Sequence, residues 1–303
     1  MKFTLIYIYL MTTFAYASQI KISTDNDLFS SNDDRDYTAS FSFSYISQPK
    51  QFKSKKLEFG LLMFTPEDIK SHIIQVNDRP YASLIYTSFA QSKWKKNSVL
   101  SHSLTIGLLG LSTPGKIQNL IHKNIGSTPA NGWSNQISNN GEITGLYSFN
   151  QTFNYSPIKT VNFININYGY SLNLGYLSQV STQFNLKIGY FNSFFNESGL
   201  NNGNIASENT VPIRRKSKEY FLYFGFTPKL VLYNSFLQGQ VRKSLYTLSS
   251  KNVKRFVTEA WVGSHISISN NLYMNLIYKF QTKETQLSKR NFNWGSISLN
   301  YIL

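Results

Sequence analysis

Cysteine is absent from the 303 residues of this chain. The fold therefore contains neither disulfide bridges nor thiolate metal sites, and its stability must come from strand pairing and side-chain packing. The chain also lacks a Gly-x-Ser-x-Gly elbow, a His-Glu-x-x-His helix and a phosphate-cradling glycine loop. The common motifs of serine hydrolases, zinc proteases and nucleotide-binding enzymes are thus missing.

Long apolar runs are also missing, apart from one near the N-terminus. There, Lys2 precedes the apolar stretch Phe3–Phe14, and Ala15–Ala17 form a small-x-small cleavage pattern. The stretch is shorter than the roughly 20 residues that a spanning helix needs, which favours a cleaved signal peptide over a signal anchor. We predict a signal peptide at residues 1–17, one domain at residues 18–303 and no transmembrane helix.

Acidic residues are scarce, since 15 Asp and Glu face 30 Lys and Arg and give a formal charge of +15. Such an excess of positive charge suits an anionic partner. Nucleic acid is the generic candidate. For an exported protein with basic residues in its predicted turns and loops, we favour anionic lipid headgroups instead, such as the phosphates of lipopolysaccharide.

Alternation of apolar and polar residues dominates the rest of the chain. Thr38–Tyr45 is a clear instance, and Ile164–Leu174 reaches the length of about 9 to 11 residues that a transmembrane strand needs. About thirteen such runs occur, with Lys218–Thr227 and Lys229–Val241 counted separately. Because bacterial single-chain barrels close with an even number of strands, we predict an all-β fold, a closed antiparallel transmembrane β-barrel of about twelve strands. One of the thirteen runs, after residue 160, is then either half of a divided strand or not a strand.

The C-terminus supports this prediction. Gly295–Leu303 alternates to the last residue, like the final strand that the outer-membrane assembly machinery recognises. A secreted soluble β-sandwich also has alternating strands, but they are shorter and their polar face looks outward to water.

Three segments are predicted to lie at the cell surface if the N-terminus is periplasmic, while the alternate turns are shorter. They follow the first, third and fifth strands and are Leu28–Arg35, Thr65–Ala82 and Gly110–Gly141. The third contains a predicted short helix, with Thr113 as N-cap, Pro114 at the first position and Gly126 as its stop.

Polar side chains collect at this end of the barrel. They belong to Asp25–Asp27, to Arg35–Thr38, and to Gln118 and His122, which share one face of the helix beside an apolar stripe. Strand alternation predicts that Asp27 and Thr38 point toward the lumen. A helix folded over the barrel mouth would bring His122 to them.

His122 is a candidate general base, since a neutral imidazole accepts a proton near neutral pH. Asp27 and Asn26 offer hard oxygen ligands that suit Ca²⁺, a cation able to stabilise an ester oxyanion. Taken singly, however, a loop histidine is more often solvated, and Asp-Asn-Asp at a strand end is more often turn chemistry. The residues alone leave the function open.

A set of motifs, densest before residue 145, narrows the choice. They are Asp25–Phe29, Arg35–Thr38, Phe64–Ile69, Asn77–Ala82, Ile117–Gly126, Gly132-Trp133, Asn135-Gln136 and Gly295–Tyr301. In order and spacing the chain resembles the outer-membrane lipid A 3'-O-deacylase family. The resemblance implies a twelve-stranded barrel that removes the 3'-linked acyloxyacyl group of lipid A at the outer leaflet in a Ca²⁺-dependent ester hydrolysis.

The resemblance also implies roles for single residues. His122 would be the base that activates water, and Asp27 with Asn26 would belong to the metal and oxyanion side. Thr38 would orient groups beside them, and Gln118 matches a neighbour of the histidine on the helix.

Two positions depart from the family pattern. Lys70 stands alone where the family has a lysine-arginine pair, and Thr128 stands where it has an acidic residue. Lys70 and Arg79 are the predicted substrate-binding residues.

Three hypotheses remain from the sequence. The first is a lipid A deacylase in the outer membrane, and the second is a phospholipase that uses the same ester chemistry on glycerophospholipids. The third is a non-enzymatic porin or adhesin barrel in which His122 has no chemical role.

Overall fold

The protein is a closed barrel of twelve antiparallel strands, in which each strand pairs with its neighbours in sequence and β1 pairs with β12. The computed structural model describes residues 17–29, 36–47, 53–95, 97–155, 163–191 and 218–303. Apart from Ala17, the predicted signal peptide lies outside the described residues, as do residues 30–35 of the first predicted surface segment. The strands are β1 (Ala17–Asn26), β2 (Asp36–Ser47), β3 (Lys53–Thr65), β4 (Ala82–Lys95), β5 (Ser98–Leu109), β6 (Glu142–Tyr155), β7 (Ile164–Gly175), β8 (Leu177–Tyr190), β9 (Tyr220–Asn234), β10 (Phe256–Ser267), β11 (Leu272–Gln281) and β12 (Phe292–Ile302).

The helices lie in the connections between strands. They are α1 (Ser112–Ile125) and α2 (Ser235–Gln238), and 3₁₀ turns occur at Asp27–Phe29, Trp133–Asn135 and Ser250–Asn252. Both helices lie at the end of the barrel where odd-numbered strands finish, which we call the helix end. The opposite end, where β1 begins and β12 finishes, is the terminal end. No helix in the described part of the chain is long and apolar enough to cross a membrane.

The predicted strand number is confirmed, and the surplus run is identified. The predicted strands Lys218–Thr227 and Lys229–Val241 form the single strand β9, which passes through Pro228. Pairing with β8 skips this position, passing from Ser181 opposite Lys229 to Phe184 opposite Phe226. A proline is tolerated here because its missing N–H falls in that interruption of the ladder.

Alternation along the strands sorts side chains between lipid and lumen. Outward apolar side chains are 44–57 % exposed at Leu104, Ile106, Phe184, Phe226 and Leu299. Their neighbours in sequence point inward and are polar and buried, as at Asn185 and Asn300. An apolar outer band around a polar interior is the pattern of a transmembrane barrel.

Aromatic side chains pack together inside the lumen at two places. At the helix end α2 inserts Phe236, whose ring lies 4.7 Å from that of Phe64 and 5.5 Å from that of Tyr176. In the other half, Phe221, Tyr223 and other aromatic side chains form a second inward cluster. A cavity of about 40 Å³ beside Phe236 has room for only two or three water molecules.

Charged groups in the lumen are held in hydrogen-bonded pairs. Glu58 accepts hydrogen bonds from Ser44 at 2.8 Å, from the Lys56 ammonium at 3.1 Å and from the Tyr86 hydroxyl at 3.1 Å. Farther around the wall, Lys229 lies 3.0 Å from Glu259. Such pairing is required because a lone charge in a buried interior is costly.

The connections only partly follow the predicted alternation of long and short loops. At the helix end, residues 66–81, 110–141 and 235–255 form long loops, but β7 and β8 are joined through Tyr176 alone. At the terminal end the connections are short except for residues 191–219 between β8 and β9. The prediction of uniformly shorter turns at that end was therefore wrong for one connection.

We expect Glu58→Ala to destabilise the barrel by about 3–5 kcal/mol, because it leaves the Lys56 ammonium buried without its carboxylate. Glu67→Ala is the control, since Glu67 pairs with Arg290 at 2.6 Å while both side chains are about half exposed. Its loss should cost at most about 1 kcal/mol. Urea unfolding of the refolded barrels in micelles measures both values, and equal losses would contradict the role given to the luminal pair.

Candidate functional site

Helix α1 lies against the outer face of the barrel wall, not over the barrel mouth. It contacts β3 and β4, and its buried residues are Pro114, Gly115, Gln118 and His122. The outward residues Leu120, Ile121 and Ile125 are 50–61 % exposed. The predicted apolar stripe thus faces away from the protein and the polar pair faces the wall, an orientation that is favourable where the surroundings are lipid.

An apolar layer separates α1 from the strands. Its members are Met63, Ile69, Tyr81, Ala130 and Trp133, with Ala39 and Leu61 packed against them. Leu61 and Met63 alternate along β3 with Leu62 and Phe64, which belong to the luminal core, so this layer lies on the outer side.

Trp133 fills the space directly beneath the helix. A Cβ atom at Gly115 would lie 2.5 Å from Cγ of Trp133, so only glycine allows this approach. The indole N–H donates to Oε1 of Gln118 at 2.8 Å. Gln118 is therefore held in place by the wall side of the site.

The predicted C-terminus of α1 is confirmed, whereas its predicted N-cap is wrong. Gly126 adopts a left-handed conformation with φ of 72°, and its N–H donates to the carbonyl of His122. The helix begins at Ser112 after Leu111, which caps it without a side-chain hydrogen bond, rather than after Thr113. Pro114 fits one turn into the helix because the first four N–H groups have no intrahelical acceptor.

The imidazole of His122 is buried and oriented. It is 4 % exposed, and its Nδ1 forms a hydrogen bond with the backbone carbonyl of Thr128. Because a carbonyl oxygen can only accept, Nδ1 must carry the proton, and Nε2 is then the basic nitrogen. Thr128 thereby orients the histidine through its main chain.

Asn26 and the turn that begins at Asp27 lie on the outer face of the barrel wall. Asn26 alternates with the exposed Ile22, and Asp27 opens the 3₁₀ turn with a side chain that is 2 % exposed. The turn lies across the outer face of β12, where Phe29 packs so tightly on Gly295 that a Cβ atom there would lie 2.4 Å from its own Cβ. Asp27 lies beyond the end of β1, in this turn, so the strand parity from which a luminal side chain was predicted does not apply to it.

Thr38 is also turned outward, contrary to the prediction. A β-bulge separates the inward pair Tyr37 and Phe64 from the outward pair Ala39 and Met63. The extra residue shifts the parity by one position. The hydroxyl of Thr38 consequently meets that of Thr65 at 2.7 Å.

Asp25 anchors this part of the wall from the luminal side. Its carboxylate accepts hydrogen bonds from the hydroxyls of Tyr37, at 3.1 Å, and Ser296, and it lies 3.6 Å from the Lys279 ammonium. These partners come from β2, β12 and β11, so Asp25 fixes the strand end that carries Asn26. Sequence reasoning missed this role because two of the three partners lie more than 250 residues away.

The two predicted substrate-binding residues lie in different surroundings. Lys70 is exposed, and its carbonyl accepts a hydrogen bond at 3.0 Å from Asn131, which ties its loop to the loop of α1. Arg79 is 2 % exposed, with its guanidinium 4.5 Å above the inward Phe64 ring and 3.4 Å from Glu284. Its predicted contact with substrate is therefore not supported, since the Arg79 guanidinium lies on the luminal side of the wall.

The loop between β9 and β10 steadies the loop that carries Lys70. The Tyr246 hydroxyl donates to the carbonyls of Val76 at 2.6 Å and Asp78 at 3.0 Å. Burial, helped by the nearby Asp78 carboxylate, raises the pKa of Tyr246, which keeps this hydroxyl protonated as a donor.

Oxygen donors suited to a metal ion lie at the strand ends. No group of three His, Asp or Glu side chains in the described ranges could hold a metal. Asp27, Asn26 and Thr38 nevertheless supply a carboxylate, an amide oxygen and a hydroxyl from adjoining segments. Oxygen donors of this kind fit Ca²⁺ rather than a soft metal.

The comparisons with known proteins agree on the architecture. The family model described as "Outer membrane protein LpxR" matches residues 3–303. LpxR from Salmonella typhimurium has a similar structure, with a TM-score of 0.79 and 17 % sequence identity, covering 94 % of this chain and 100 % of that chain.

Other outer-membrane barrels have a lower structural similarity to this chain. The β domain of the Bordetella autotransporter BrkA has a TM-score of 0.46 at 5 % identity, covering 95 % of this chain and 99 % of that one. The KdgM porin has a TM-score of 0.42 at 6 % identity, covering 94 % of this chain and 99 % of that one. No curated protein sequence matches the chain.

We expect Gly115→Ala to loosen α1 from the wall, because the new methyl group overlaps the Trp133 ring. Overpacking of this kind costs about 1–3 kcal/mol, which corresponds to a rise of roughly 5-fold to 150-fold in the detached population. Trypsin cleavage after Lys116 and Lys123 in the micelle-bound protein measures that population. Asn124→Ala, on the exposed face, is the control, and equal cleavage of both variants would contradict the packing described here.

Proposed function

The chain belongs to the LpxR family of outer-membrane proteins, and on that premise we propose that it is a lipid A deacylase. The reaction is hydrolysis of the 3'-linked acyloxyacyl ester of lipid A in the outer leaflet. One observation carries the proposal: the oriented, buried His122 lies between a helix with an apolar outer face and the lipid-facing side of the wall. A water-soluble substrate has no need of a base in this position.

A membrane lipid reaches this site without crossing the barrel. The protein is an outer-membrane β-barrel, and with its N-terminus on the periplasmic side the helix end lies at the cell surface. Leu120, Ile121 and Ile125 project from α1 toward the hydrocarbon, where acyl chains can pack beside them. The aromatic clusters that project into the lumen, around Phe236 and around Tyr223, do not favour the porin hypothesis.

His122 is the proposed general base. With Nδ1 donating to Thr128, Nε2 can take a proton from a water molecule as that water attacks the ester carbonyl. The same imidazolium can return the proton to the departing sugar oxygen, which completes hydrolysis to a fatty acid and an alcohol. Gln118 and Trp133 hold the helix at a fixed distance from the wall during this transfer.

Asp27, Asn26 and Thr38 form the proposed cation and oxyanion side. When bound, Ca²⁺ supplies positive charge for the carbonyl oxygen that becomes negative in the transition state. The chain's own contribution is to keep these donors still. Asp25 does so from the lumen and Phe29 does so from outside.

Lys70 is the proposed contact for a glucosamine phosphate of the substrate. It is exposed at the same end as α1, and its loop is tied to the α1 loop through Asn131. Ammonium groups bind phosphates as point charges.

Replacing His122 with Ala should reduce turnover by about 10²–10⁴-fold, the usual contribution of a general base, while the barrel still assembles. Mass spectrometry of lipid A from cells that express each variant detects loss of the acyloxyacyl unit. His102→Ala is the control, because His102 is exposed on the outer wall of β5, where its ring bonds the Tyr147 hydroxyl.

An equally active His122→Ala protein would overturn the role of the base. Release of fatty acid from glycerophospholipid but not from lipid A by the wild type would show a phospholipase instead. Unchanged lipids with a folded, inserted wild-type barrel would overturn the enzymatic proposal as a whole.

Chelation of Ca²⁺ should stop the reaction of the wild type, and Asp27→Asn should reduce it even with Ca²⁺ in excess, because the amide carries no charge to hold the cation. Added Ca²⁺ should also raise the unfolding temperature of the wild type more than that of Asp27→Asn. Heat-modifiability on SDS gels measures this shift. The proposed site is wrong if chelator leaves turnover unchanged or if both proteins are stabilised equally.

A further inference from the structure

A second cluster of basic side chains lies at the helix end, away from α1. The connection at residues 235–255 carries five basic residues and no acidic one, and the connection at residues 282–291 carries three basic residues and Glu284. Glu284 is engaged by Arg79 from the luminal side. Together these two connections form a basic platform, defined by Lys251, Lys254, Lys283 and Lys289.

Hydrogen bonds and apolar packing fix the backbone of the platform. Val253 bridges to Thr285, Lys254 N–H donates to the Glu284 carbonyl at 2.8 Å, and Gln286 N–H donates to the Asn252 carbonyl at 2.8 Å. Beneath them, Leu237, Leu248 and Val253 form an apolar core, with Leu287 packed against it. The lysines are therefore displayed from a fixed backbone.

The four amines are available to a partner. Lys251 and Lys289 are exposed, and Lys254 and Lys283 are half-buried. Within the described part of the chain, none of the four forms an ion pair. The neighbouring acids Glu284 and Glu67 are already paired, with Arg79 and Arg290, so the four lysine charges favour an anionic ligand.

The wall below the platform is strongly apolar. At the ends of β9, β10 and β11 nearest the platform, outward side chains are 42–66 % exposed at Leu230, Leu232, Phe256, Tyr278 and Phe280. Amines above an apolar wall match a lipid whose phosphates lie above its acyl chains.

The wall beneath the platform is distinct from the wall under α1. Helix α1 contacts β3 and β4, whereas the platform stands above β9, β10 and β11. The two surfaces are neighbours at the rim, because Phe29 of the candidate site packs on β12 and Arg290 pairs with Glu67. A lipid that packs on β9–β11 is therefore a second molecule beside the substrate.

We propose that the basic platform and the wall beneath it bind a second, non-substrate lipid A molecule of the outer leaflet. Lipid A carries phosphates at both ends of a disaccharide, which can engage lysines from both connections. A glycerophospholipid has one phosphate and would meet only part of the cluster. The proposal does not rest on catalysis at His122.

Native mass spectrometry of the full-length His122→Ala protein, titrated with purified bisphosphorylated lipid A in dodecylmaltoside, tests it by counting lipids per barrel. We expect two. Replacing Lys251, Lys254, Lys283 and Lys289 with Gln should weaken the second binding event at least about tenfold and leave the first. Raised NaCl should have the same effect.

The control removes the same charge at the terminal end, with Lys53, Lys55, Lys93 and Lys95 replaced by Gln, and it should still bind two lipids. Equal loss in both quadruple variants would show bulk charge rather than a site. Two lipids on the platform variant, or equally tight binding of phosphatidylglycerol, would overturn the proposal. These outcomes do not depend on turnover, which the wild-type assay tests separately.

Discussion

Hydrocarbon offers no hydrogen bonds, and this constraint shapes the whole wall. Each backbone N–H and C=O in the membrane must pair with a neighbouring strand, and only a closed sheet leaves no open edge. Pairing of β1 with β12 achieves the closure. Because the hydrocarbon solvates apolar side chains, these remain on the outer face of the wall. The polar groups of the chain are collected in the lumen and at the rims.

The surrounding hydrocarbon also explains why the candidate site lies on the outer face of the wall. In water an amphipathic helix buries its apolar face, but α1 buries Gln118 and His122 and exposes Leu120 and Ile121. This inversion suits a helix whose exposed face meets lipid, while the polar face accepts a hydrogen bond from Trp133 and donates one to the Thr128 carbonyl. A polar pocket beside the hydrocarbon is what the proposed reaction on a membrane ester requires.

The architecture was predictable because alternation is a long-range pattern repeated in every strand. Its errors arose at single residues that interrupt the pattern. Pro228 divided one strand into two predicted ones, since its place at a gap in the ladder depends on β8. The bulge at Thr38 reversed one predicted orientation, and the 3₁₀ turn at Asp27 removed the basis of another, because each interrupts the period of two.

The identities of the site residues were predictable from the sequence. The contacts that orient their side chains were not. Motifs name His122 and Asp27, whereas the carbonyl that orients His122 belongs to Thr128, and a main-chain atom leaves no trace in side-chain chemistry. Any residue at position 128 offers the same carbonyl, so the side chain there does not decide the tautomer of His122. The orientation of the base therefore depends on the backbone geometry with which α1 and residue 128 are held to the wall.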